Sequence, residues 1–394
     1  MFDDKFIWGA GSSSVAIEGA ALRSDWYRWE ERRGVENSRA GNDFRSRYAE
    51  NFALLVEHDL RHVRLTIEWA RIEPFPGRHD RDELEHVEQV LIAARDVGLS
   101  VWVTLHHGSL PGWFSADTDG FCTTAGPSIH WSRHVDRMAE MFDSHVSAWW
   151  PIEDPIGWAI DAHHLGNRPP ARTSPDLFRD AVEGILDATF DAHRLLSSGS
   201  KPVVGSFGLP MLHATEPAAD DERLYWDQII WRSWTRAISE GVLEFPWRGA
   251  TERPDMADAF DAIGVGIASP FRVDPAGVLT PWPERGRRDE AGGTPAPGSL
   301  GETLQRAAEL LDGKDLFVTR LGAATSDDGW REELFEGWLD QIRVAGNEGL
   351  PIRGVFIEPV VDGYDVAARA LIDSGVFSRS LEPKPSFGWI AAQQ

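Results

Sequence analysis

LFVTRLG, residues 316–322, opens on three apolar side chains, Leu316 to Val318, and closes on Thr319-Arg320-Leu321-Gly322. Segments with apolar residues at helical spacing flank it, at 300–311 and 332–345, so the short run reads as one strand between two helices. The same alternation continues outward to both ends of the chain. Strand-like runs fall at 6–11, 62–67, 101–105, 148–152, 202–207, 262–267, 316–319 and 354–357, with helical patterns at 84–97, 131–145, 175–196 and 222–239 between them. Eight strands alternating with helices predict an α/β fold, a single (β/α)8 TIM barrel over residues 1–394. Its active site is expected at the C-terminal ends of the strands. Gly9-Ala10-Gly11 is followed by Ser12-Ser13-Ser14, not by the glycine spacing that cradles a pyrophosphate, so a dinucleotide-binding sheet is disfavoured. Residues 269–299 are rich in Pro, Gly and charge and read as a long loop over the pocket.

Composition narrows the partners. A net charge of −24 argues against nucleic acid and anionic membranes, both of which attract positive surfaces. Cys122 is the only cysteine, which excludes an internal disulfide and fits a reducing, cytoplasmic setting. The opening MFDDKFIWGA has no basic start followed by an apolar stretch, so no secretion signal is read there, and no apolar run is long enough to span a membrane. A small-molecule ligand is the expected partner; the oligomeric state is left open. Eighteen Trp residues suit either sugar stacking or a large core.

Six ordered landmarks carry a family resemblance. They are FIWGAGSSSVAIEGA (6–20), Asp43 with Tyr48, HVRLTIEWARI (62–72), TLHHGSLPGW (104–113), WWPIEDP (149–155), and the pair of residues 354–365 with KPSFGW (384–389). Together they resemble glycoside hydrolase family 1, the retaining β-glycosidases. The resemblance implies a mechanism with two carboxyl groups about 5–5.5 Å apart, a nucleophile and an acid/base. It puts the acid/base at Asp154, one methylene shorter than the family's Glu, and the nucleophile at position 320, where this chain has arginine.

That exchange sets the functional expectation. The glycosidase transition state is cationic, and two unit charges about 4 Å apart interact by about 4 kcal/mol at an effective dielectric of 20. Repulsion in place of attraction therefore costs up to about twice that, roughly five to six powers of ten in rate. Family sugar-binding positions have changed as well, to Ala16, Gly108, Glu153, Gly266-Ile267, Glu358 and Asp365. His107 and Arg64 are retained.

The exchanged residues are charged in a pattern: Arg320 joins Arg64, and Glu153 and Glu358 stand at neighbouring strand ends. Buried charges are costly unless paired, so both arginines are expected to be balanced by the two glutamates. The first reading is a repurposed enzyme, in the manner of a biosynthetic one, acting on a small polar, glycoside-like or carboxylate-bearing metabolite. Asp154, Glu153 and Glu358 would carry acid/base chemistry, and Arg320, Arg64, His107 and Asp365 would bind substrate, Arg320 by holding an oxyanion. The alternatives are a β-glycosidase with displaced carboxylates, Glu358 attacking and Asp154 donating, and a non-catalytic pseudoglycosidase. No cofactor and no metal are expected. His130 and His134 have i, i+4 spacing but no third ligand nearby, and His106, Glu18 and Glu68 read as structural.

Overall fold

The computed structural model describes residues 5–123, 127–267 and 269–394. Residues 1–4, part of the stretch read for a secretion signal, lie outside them. Eight parallel strands carry the fold: β1 (Ile7–Gly11), β2 (His62–Thr66), β3 (Ser100–His106), β4 (Ala148–Ile152), β5 (Val204–Gly208), β6 (Ala262–Gly266), β7 (Asp315–Leu321) and β8 (Ile352–Ile357). They are hydrogen-bonded in the order β4-β3-β2-β1-β8-β7-β6-β5. The ring closes where the Trp149 N–H donates to Pro202 O at 2.9 Å and the Asp154 N–H to Ser206 O at 3.2 Å. Strand, crossover and parallel strand repeat as expected of a (β/α)8 barrel.

The barrel is a packed core. Trp102, Trp150, Phe317 and Phe356 from β3, β4, β7 and β8 fill its interior, with Trp102 5.1 Å from Phe356 and 6.0 Å from Trp150, ring centre to ring centre. Most of the remaining tryptophans pack between strands and helices, so the high Trp count belongs mainly to the core. The helices start where polar side chains can accept their free N–H groups. Asp80 accepts from Asp82 and Glu83 ahead of Arg81–Asp96, Ser174 from Leu177 ahead of Pro175–Leu196, and Asp327 from Trp330 ahead of Asp328–Asn347.

Three expectations change. The helical pattern 222–239 is two helices, Asp220–Asp227 and Ser233–Glu240, joined by a π-helical turn, Gln228–Arg232. Pattern 131–145 resolves into Ser132–Phe142 between a π turn and a 3-10 turn. The 269–299 segment is no featureless loop: Phe271–Val273 and Leu279–Pro281 join Leu212–Ala214 in a small sheet, and a helix begins at Pro297. Periodicity reports the apolar face of such segments but not local changes of helical pitch, and pairing with distant Leu212–Ala214 has no local signature. Among the described residues, no helix is long and apolar enough to cross a membrane.

Candidate active site

Above the aromatic floor lies a fully buried cation. The Arg64 guanidinium sits 5.2 Å over the Trp150 ring, and its side chain is wholly inaccessible. Nη1 is 3.4 Å from Glu153 Oε2, and Nη2 is hydrogen-bonded to Glu358 Oε2. Nη1 also reaches Thr104 Oγ1 and His107 Nδ1, each at 3.4 Å. Glu153 accepts a further hydrogen bond from Ser206 Oγ at 2.9 Å, and Thr319 Oγ1 lies 3.5 Å from its other oxygen. One guanidinium thus bridges two carboxylates supplied by the ends of β4 and β8. Burial lifts the Glu153 carboxyl above its usual range; Arg64 opposes this and Glu358 adds to it. Burial also drives His107 well below the ordinary imidazole range, helped by Arg64, Arg320 and Arg168, so its ring is neutral near pH 7.

Arg320 behaves differently from expectation. Among the described residues it makes no ion pair within 4.0 Å and no hydrogen bond. Glu153 and Glu358 are both taken by Arg64, so the pairing of both arginines with both glutamates does not form. Burial opposes the charge of Arg320, but the surrounding carboxylates of Glu358, Glu153, Asp154 and Asp365 outweigh it and hold the guanidinium charged. The register between β7 and β8 slips between Val318 and Leu321. Strict alternation would send adjacent residues to opposite faces. Instead Thr319 faces Glu153 inside the barrel and Arg320 also lines the cavity above it, as an irregularity in the ladder allows.

Asp154 is also differently employed. Its backbone is left-handed, φ 47°, and its Oδ1 accepts from the Gly157 N–H at 3.0 Å and the Gly208 N–H at 2.9 Å. It is the N-cap of helix Pro155–Ala159. A Cβ on Gly208 would lie 2.5 Å from Asp154 Oδ2, so glycine there lets the carboxyl fold back onto the backbone. The residue still borders the cavity, but one oxygen is committed to the fold.

The cavity holds about 610 Å³ and is lined by Glu153, Asp154, His107, Arg320, Glu358 and Asp365. Asp365 accepts from the Ala367 and Ala368 N–H groups, and burial raises its carboxyl above the usual range. All seven residues singled out from the sequence therefore lie in or directly beneath one chamber. Three more lining residues escaped the sequence reading: Asp161 and Arg168 on the connection after β4, and Asp289 on the segment after β6. Arg168 Nε pairs with Asp161 Oδ2 at 3.3 Å. None of the three sits in a landmark motif, and only Asp161 is in a helical element, the π-helical turn Ile160–Leu165; the folding of those connections over the strand ends brings them in.

The remaining candidates are packed. His106 is buried, with Nδ1 3.2 Å from Ser109 O. His134 stacks on Trp69 at 4.7 Å, ring centre to ring centre. Glu68 accepts from Ser14 Oγ at 2.5 Å and Ser109 Oγ at 3.2 Å, and Glu18 pairs with Arg71 at 3.4 Å. Among the described residues, no three His, Cys, Asp or Glu side chains are placed so that they could hold a metal ion.

Comparison with known proteins gives one consistent picture. The family model described as glycosyl hydrolase family 1 matches residues 1–203. β-Glucosidase A of Thermotoga maritima is 23% identical over 406 residues, covering 93% of this chain and 90% of that protein. The 1,4-β-D-glucan glucohydrolase of Thermotoga neapolitana is 22% identical over 414 residues, with 93% and 95% covered. Among solved structures, a β-glycosidase from Pyrococcus horikoshii superposes with a TM-score of 0.88 at 22% identity, over 99% of this chain and 94% of that one. The T. maritima β-glucosidase in complex with azafagomine gives 0.87 at 19% identity, over 99% and 98%.

Proposed function

This chain belongs to glycosyl hydrolase family 1, and we propose that within that family it is a repurposed enzyme lacking the retaining nucleophile. Its substrate is a small polar, glycoside-like or carboxylate-bearing metabolite, and its chemistry is proton transfer. The observation that carries this reading is the guanidinium of Arg320, unpaired among the described residues and facing an open chamber from the position the resemblance gives to the nucleophile.

Glu153 and Glu358 are the acid/base pair. Burial favours a protonated Glu153, which can donate, while Glu358 already accepts a hydrogen bond from Arg64 Nη2 and offers its other oxygen to a ligand. Arg64 keeps the two carboxyl groups at fixed positions and stabilises whichever is charged. Asp154 is the weaker candidate for the acid, because its Oδ1 caps a helix. His107, Arg320 and Asp365 orient the substrate, His107 as a neutral donor or acceptor. A displaced-carboxylate β-glycosidase has less support, since Glu358 is bound to a guanidinium and is a poor attacking group. A filled, vestigial pocket has less support too, because the chamber is open.

The test is incubation with chromogenic β-glucosides and β-galactosides. The expected outcome is no turnover by the wild type. Release of the chromophore at ordinary glycosidase rates would overturn the reading.

A further inference from the structure

We infer that the ligand carries an oxyanion which binds in the part of the chamber faced by both Arg320 and Arg168, and that Arg168 is the residue selecting an acidic over a neutral polyol. This rests on the reading of the chamber as a working site. Arg320 brings up to five N–H donors into the chamber with no protein acceptor among the described residues. A guanidinium cannot shed its charge, so its donors must be met by a ligand or by water. Arg168 uses Nε on Asp161, and its Nη1 lies over the bare backbone of Gly108, 3.0 Å from where a Cβ there would stand. Gly108, with φ +96°, leaves open the space into which that guanidinium reaches. Both arginines line the same chamber, and both charges act on His107 and on Asp161. A carboxylate or phosphate matches two planar forks better than a hydroxyl does.

The neighbouring acids leave Arg320 open, and Asp161 engages only Nε of Arg168. None approaches Arg320 within 4.0 Å among the described residues, and burial holds Glu153, Asp161 and Asp365 toward their neutral forms.

Isothermal titration calorimetry of the full chain with D-glucuronate, D-glucose and inorganic phosphate tests the assignment. A charge-assisted bidentate contact predicts that the wild type prefers glucuronate to glucose by roughly tenfold to a hundredfold. R320Q and R168Q should each remove most of that preference. R168K, which keeps the charge but loses the fork, should retain part of it; it also decides the matter if R168Q does not fold. Phosphate should compete with glucuronate. Equal affinity for glucuronate and glucose in the wild type, full preference in R168Q or R168K, or phosphate that binds without displacing glucuronate would each overturn the inference. The readout needs no turnover. Preference without any conversion would sink the proposed function alone, and conversion without preference would sink this inference alone.

Discussion

Arg64 Nη1 lies 3.4 Å from Glu153 Oε2, both side chains having almost no access to solvent. This contact organises the site, because the same guanidinium also holds Glu358. One cation serves both carboxyl groups, and Arg320 adds positive charge only from a distance.

Removing the shared cation should be severe. Arg64→Met leaves two buried carboxyl groups without their counter-ion, and breaking a buried pair costs about 3–5 kcal/mol. Protonation relieves part of that loss, so the destabilisation should grow from pH 5 to pH 8. Urea denaturation at both pH values measures it. A cost below that of an ordinary surface substitution would show that Arg64 does not hold the trio.

Arg320→Gln should be far milder. Among the described residues the side chain makes no hydrogen bond or ion pair that the substitution would break, so the loss of stability should fall well below half of that caused by Arg64→Met in the same titration. Equal costs would mean that Arg320 is a structural counter-ion and not a free donor.

Asp154→Ala removes an N-cap and should cost about 1 kcal/mol, within the 0.5–2 kcal/mol typical of such losses. The Gly208 N–H loses its acceptor as well. Gly208→Ala should also destabilise, because its Cβ would displace the carboxyl. Equilibrium unfolding checks both, and an unchanged midpoint for Asp154→Ala would refute the capping role.

Asp25 gives a pH signature away from the site. Burial pushes its carboxyl up to about 7, against which the Leu110 N–H, donating to Oδ1 at 3.0 Å, acts only in part. The folded state therefore binds the proton more tightly than the unfolded chain. Below the ordinary value of 3.8 the two states are equally protonated. Between 3.8 and about 7, stability contributed by this group falls as pH rises, by up to about 1.4 kcal/mol per pH unit. Asp25→Asn cannot titrate, so its stability relative to the wild type should improve steadily from pH 4 to pH 7. A constant difference across that range would show that Asp25 does not titrate there.

Much of this was legible before folding. Eight short apolar runs between helical patterns pointed to a barrel, since buried parallel strands need helices over them and no glycine-rich phosphate turn favoured an open sheet. The family landmarks then put Arg64, His107, Glu153, Asp154, Arg320, Glu358 and Asp365 at the strand ends, and all seven gather around the chamber. Arg168, Asp161 and Asp289 were not legible because their approach depends on the course of long connections, which no periodic pattern encodes.

The sequence by itself determined the chemical identity of each side chain around the chamber, including the cation at position 320, because strand order and length fix which residues end each strand. Only the tertiary structure decided who pairs with whom. Arg64 takes both glutamates, since it lies buried beneath them, and a ladder irregularity turns Arg320 into open space above. Asp154 folds back because Gly157 and Gly208 offer it two N–H donors. Distances of a few ångströms across a closed barrel set these choices, and they depend on register and closure, which no single stretch of chain contains.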